Sequence, residues 1–189
     1  MADWTLTASH CFQPRKSHGA CNILHFQEST CASTATVIRG QVITADTVVS
    51  TSGLRLVRAP SSGGTGANLL QVAITSLLGV AAETSTRDGS TTGLGTDLDK
   101  CKLPVYSADN IEFKGWLKGN GPSGSSMVGS ERAIIFDSTL KMHFIDSTNS
   151  TAALMAVLVT GVPVEAMGDT NGPVYFKFLS SLVNRSVVF

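Results

Sequence analysis

From Thr34 onward the chain is written in short β-branched runs broken by turn residues, and that rhythm limits the fold more than any other feature. Thr34-Ala35-Thr36-Val37-Ile38-Arg39 leads through Gly40 into Gln41-Val42-Ile43-Thr44, and Leu54-Arg55-Leu56-Val57-Arg58 alternates apolar with charged residues. Ile111 to Leu117 alternates again. Arg132 to Asp137 and Met142 to Asp146 read as two arms of a hairpin, and Val174 to Phe178 follows the turn Gly168 to Gly172. A period of two, with turns every few residues, is the pattern of a barrel or sandwich. Leu69 to Ala82 is a longer apolar run, whose end at Leu77 to Ala82 reads as a buried strand with a helix as rival. Pro104 has no amide hydrogen, so Leu103-Pro104-Val105-Tyr106 is expected at an edge or a strand start. Ser147 to Ala153 begins with residues that cap helices, and Leu154 to Val164 reads as strand.

The expected fold is all-β: a compact β-barrel or β-sandwich with an extended N-terminal arm and long Gly/Ser/Thr loops. The arm is residues 1–33, which carry no period but hold Trp4, Phe12, Phe26 and the basic Arg15 and Lys16. These five are the candidate interface residues, and Trp116 is assigned to the core. Deletion of residues 1 to 30 is expected to weaken attachment to a partner more than folding. Residues 34–189 form the barrel or sandwich domain, with loops at 60–66, 84–96 and 119–126 and no internal repeat in the sequence.

Composition narrows the function. Charged residues are 15% of the 189, against roughly 25% in ordinary soluble domains. The polar surface is therefore built from Ser, Thr, Asn and Gly, and sparse charge suits a surface covered by neighbours. Net charge is zero, whereas direct nucleic-acid binding leaves a basic excess; none is expected. The N-terminus lacks the basic and apolar regions of a secretory signal, and Ala152 to Val164 is too short to span a bilayer. Synthesis in a cytoplasm is expected, and the sequons at Asn149 and Asn184 are read as chance.

Chemistry-bearing patterns are sparse. Cys11, Cys21, Cys31 and Cys101 lack paired zinc spacing, so free thiols are expected; His10, His18 and His25 among the first three leave a metal cluster open, and a Cys11–Cys21 or Cys21–Cys31 disulfide in an oxidising medium also stays open. Gly121 to Ser125 does not complete a nucleophile elbow, and Gly63-Gly64-Thr65-Gly66 lacks a phosphate-loop lysine. His143 could be drawn with Asp137 or Asp146 as the seed of a hydrolase or ligand site, but no activated nucleophile accompanies it. It is read as a structural histidine. Glu112 and Glu165 do not form a recognisable acid–base pair, and Asp88, Asp97 and Asp99 lack the order of a calcium loop. No enzyme, cofactor or metal is expected.

Several strings, taken in order, resemble the capsid decoration (cement, or head-stabilisation) proteins of tailed bacteriophages. They are Val37 to Ile43, Leu77 to Glu83, Leu103 to Tyr106, and Phe136 to Leu140 with Phe144 to Asp146. The resemblance spreads over residues 34 to 180 and leaves the arm without a counterpart. It implies a virion protein on the capsid exterior, bound to the major capsid protein across capsomer junctions, and homo-oligomeric, with a trimer ahead of a dimer. Tail, connector or fibre-base proteins are the alternative address.

Overall fold

The computed structural model describes residues 4–17, 23–28, 37–49, 55–60, 74, 76–84, 102–119, 121, 123–148 and 154–183. The chain is all-β, as expected. Eleven strands occur among these residues: β1 Gln13–Ser17, β2 Ile23–Glu28, β3 Val42–Val49, β4 Arg55–Arg58, β5 Leu77–Ala81, β6 Lys102–Ser107, β7 Ile111–Lys118, β8 Glu131–Asp137, β9 Met142–Asp146, β10 Met155–Gly161 and β11 Pro173–Phe178. Two short 3-10 turns, Ser125–Met127 and Val164–Ala166, are the helical elements named below.

The strands close into two rings. The first is a barrel in the order β2-β4-β3-β5-β6. The second runs β7-β11-β10-β8-β9 and returns to β7 through Leu117 opposite Ile145 and Lys118 opposite Asp146, while β1 lies along the first half of β7. Both rings trace one path: the first strand pairs in parallel with the third, the third with the second, the second with the fourth, and the fourth with the fifth, which returns to the first. A repeat therefore exists at the level of topology. Chain order and pairing repeat, while the side chains and loop lengths that would reveal it in sequence differ.

Closure explains why Pro104 sits within β6 rather than at an edge. Its carbonyl accepts the Ala82 amide at 2.8 Å, and its missing amide falls where the β5–β6 ladder ends at Ala81 opposite Val105. It also explains why the run at β5 is apolar throughout. Leu78 and Ala81 join Phe26, Ile43, Val57, Leu103 and Val105 in the first barrel's core, whereas Leu77 and Val80 join Phe113, Phe176 and Val174 in the second core. The change of phase falls at Gly79, where the ladder to β3 slips by one residue. A Cβ at Gly79 would stand 1.8 Å from the Tyr106 carbonyl oxygen, so no larger residue fits. The rings thus share a wall, and the C-terminal segment straps it: Leu77 N–H donates to Leu182 O at 2.9 Å.

The first 33 residues do not hang free where described. Residues 13–17 and 23–28 are strands in the sheets, and Phe12 and Phe26 lie in the two cores. An aromatic side chain is worth several kcal/mol when buried, and this segment carries two. The expected arm is corrected to an integral part of both barrels among the described residues. Residues 61–66 and 85–96 of the loops read at 60–66 and 84–96, Cys21, Cys31, Cys101, His18, the acidic residues 88, 97 and 99, and residues 149–153 of the helix start read from Ser147 lie outside the described residues.

Candidate interaction surface

One pole of the second barrel gathers the C-terminal end of β7, the start of β8, the end of β10 and the start of β11, since Pro173 is opposite Trp116 and Leu158 opposite Glu131. The β7–β8 and β10–β11 connections meet there and are bonded to each other through backbone. Ser123 N–H donates to Asp169 O at 3.0 Å, Gly168 N–H to Ser123 O at 2.7 Å, and Gly129 N–H to Val159 O at 2.8 Å. The Ser123 hydroxyl donates to Ala166 O. Trp4 is fastened to the same loops by its backbone N–H to Thr170 O and its indole N–H to Asp169 Oδ2, each at 3.1 Å.

This bracing matters because of what it displays. Val164 is 80% exposed, Val128 and Met167 46%, and Trp4 37%; they are four of the five large hydrophobic side chains exposed among the described residues. Scattered exposed apolar residues need no explanation, but four exposed on joined turns at one end of a barrel form a candidate interaction surface. The backbone bonds between the two connections brace the frame, so less ordering remains when a partner docks.

A second face adjoins the pole on the outside of β1, β7 and β11. Trp4 meets the His10 ring edge-on at 6.2 Å, His10 meets Trp116 at 5.1 Å, and the Lys114 ammonium lies 5.0 Å from the Trp116 ring centre. Lys114 stands opposite both Gln13 and Tyr175. The Arg15 guanidinium covers the Tyr175 ring at 3.8 Å and pairs with Glu112, which also accepts from the Thr160 hydroxyl at 2.9 Å. Burial pushes the Glu112 carboxyl up, but the bonds from Thr160 and Arg15 outweigh it and hold it below its ordinary range. The same bond to Glu112 holds Arg15 more firmly protonated.

The residues singled out in the sequence divide accordingly. Trp4, Arg15 and Lys16 lie on the surface, with Trp4 at the pole and the two cations on β1. Phe12 and Phe26 are corrected to core residues: at 2% and 6% exposure neither offers a surface to a partner. Trp116 is buried, in keeping with its core assignment. Sequence reading missed Val128, Val164 and Met167 because each sits in a short apolar stretch indistinguishable from core. The only hint was Pro163 beside Val164, a residue that ends strands.

His143 sits between the barrels, fully buried. Its Nδ1 accepts the Val42 N–H at 3.2 Å and its Nε2 bonds the Pro60 carbonyl at 2.9 Å, which fixes the neutral ring with its proton on Nε2. Burial lowers its pKa from 6.5 to about 4 despite the Pro60 bond. The aspartates drawn with it in sequence serve turns. Asp137 Oδ1 accepts the Thr139 and Leu140 amides while Oδ2 pairs with Lys118, and Asp146 Oδ1 accepts from Thr148 N–H and Oγ1. Burial pushes the Asp137 carboxyl up, and the Lys118 and turn hydrogen bonds more than offset it. Gln41 makes a parallel link between barrels, its amide donating to Lys141 O at 2.6 Å. No group of three metal-ligating side chains occurs among the described residues. Cys11 is a buried free thiol packed beside Trp116 and Phe144. No family model, no curated protein and no solved structure matches the chain.

Proposed function

We propose that this chain is a structural, non-enzymatic virion protein that attaches to the outer surface of a capsid and braces the junctions between capsomers. The observation that carries the reading is the pole of the second barrel, where Trp4, Val128, Val164 and Met167 are held exposed on turns bonded to one another. A protein that works by covering another needs apolar contact area on a frame that does not have to reorganise, and this pole supplies both. The two closed rings add to the case, because closure removes strand edges that would pair indiscriminately. Among the described residues the edge strand left is β1, and it carries Pro14, a bulge and the charges Arg15 and Lys16, each of which discourages edge pairing. The capsid address rests on the resemblance to decoration proteins in the ordered strings from Val37 to Asp146. Attachment at many sites over a closed lattice would stabilise the shell by mass action, with avidity if the chain is oligomeric.

The test is quantitative mass spectrometry of purified virions. Copies in the hundreds per particle are expected. A handful would move the protein to the tail or connector, and absence from the particle would end the reading.

A further inference from the structure

On the outer face of β1, β7 and β11, Arg15 is paired with Glu112, whereas Lys16, Lys114 and Lys177 have no bonded carboxylate among the described residues. Two cross-strand rows lie there. One is Gln13, Lys114, Tyr175 and Gly161; the other sets Lys16 opposite Glu112, and Lys177 opposite Leu158, with Glu131 beyond. The bare Gly161 lets the Tyr175 ring lie flat, since a Cβ there would stand 3.2 Å from Tyr175 Cδ2. Of the carboxylates in these rows, Glu112 is engaged by Arg15 and Thr160, and Glu131 lies at the far edge. Lys16 makes no hydrogen bond or ion pair among the described residues, Lys114 rests on the Trp116 ring, and Lys177 feels Glu112 only at a distance. In a chain of zero net charge, three lysines on one sheet face with no carboxylate bonded to them among the described residues form a local excess.

We infer that this face docks an acidic protein surface, the carboxylates of the partner meeting Lys16, Lys114 and Lys177 while its apolar residues meet the adjoining pole. The inference rests on the reading that the chain grips another protein, and it names the chemistry of what is gripped. A protein partner fits better than nucleic acid for two reasons. Glu112, paired with Arg15, interrupts the lysines, so they do not form the continuous basic track that a phosphate backbone follows, whereas separate carboxylates of a protein can meet them singly. The rings of the basic face itself offer little for base stacking: Arg15 covers Tyr175 and Trp116 is buried, which leaves Trp4 at the pole as the exposed ring. The run of contacts from Trp4 through His10 and Trp116 to Lys114 makes the apolar pole and the basic face one continuous surface, an apolar centre with a charged rim.

The test uses the full chain and two fluorescent probes, a short poly-glutamate peptide and an oligothymidylate of equal charge, with binding read by anisotropy at low and moderate salt. The expected result is salt-sensitive binding of poly-glutamate, weakened roughly tenfold or more in the variant carrying Lys16→Gln, Lys114→Gln and Lys177→Gln, with an unchanged melting temperature. Lys141→Gln, in the β8–β9 turn, should leave binding unaltered. Equal binding by the triple variant, a preference for the oligonucleotide, or no binding of the peptide would each overturn the inference. None of these outcomes alters the copy number in virions, so this inference and the capsid reading fail separately.

Discussion

Acidification from about pH 7.5 to about pH 5 should cost this protein about 2 kcal/mol through one residue, His143. In the folded chain its Nδ1 is an acceptor facing the Val42 N–H, so a second ring proton would point at a donor inside a buried site. The folded pKa is therefore lowered to about 4 from 6.5. The unfolded chain takes up a proton first as pH falls, so the stability tied to the neutral ring is complete above 6.5 and drains away toward about 4. The whole difference is worth roughly 3 kcal/mol, and most of it is gone by about pH 5. Glu112 and Asp137 have lowered pKa values, and their contributions are intact above the ordinary carboxyl values of 4.5 and 3.8. The window above about pH 5 thus isolates the histidine from these two carboxylates. Urea titrations of the wild type and His143→Leu across that window are the assay. The variant leaves the Val42 amide and Pro60 carbonyl unpaired and should be about 2–4 kcal/mol less stable near neutrality, and the gap should shrink as pH falls. Parallel profiles would refute the reasoning.

Two further substitutions probe the packing. Gly115→Ala would place a Cβ 2.8 Å from ring carbons of both Phe12 and Phe176, and a loss of about 1–3 kcal/mol is expected in denaturant melts. Phe12→Ala should cost about 3–5 kcal/mol, because its ring packs at 4.8 Å against Phe176 in the second core. By the same logic, deleting residues 1 to 30 removes β1, β2 and two core aromatics, so it should abolish folding rather than attachment alone. Circular dichroism of the truncated chain checks this.

Much of the fold was legible because alternation is a local signal. The runs at Ile111 to Leu117, Arg132 to Asp137, Met142 to Asp146 and Val174 to Phe178 sit in β7, β8, β9 and β11. The N-terminal strands were not legible: Gln13-Pro14-Arg15-Lys16-Ser17 has no apolar alternation and becomes a strand only because β7 offers it a ladder. The two-ring topology was hidden for a related reason. Closure depends on the parallel pairs β2–β4 and β7–β9, each joining segments far apart in the chain. At the surface, Trp4, Arg15 and Lys16 could be picked out by residue type, but Lys114, Lys177 and Tyr175 become one face only through strand register. His143 could be read as structural for want of a nucleophile, yet its role as a link between barrels needed the positions of Val42 and Pro60.

The most direct measurement is co-sedimentation of the purified chain with assembled capsid shells, comparing wild type with the Val164→Asp, Met167→Asp double variant. Both positions are exposed, so folding should be unaffected, which thermal melts will register. Saturable wild-type binding that falls roughly tenfold or more in the variant is predicted. Equal binding by the two proteins, or none by the wild type, would contradict the account.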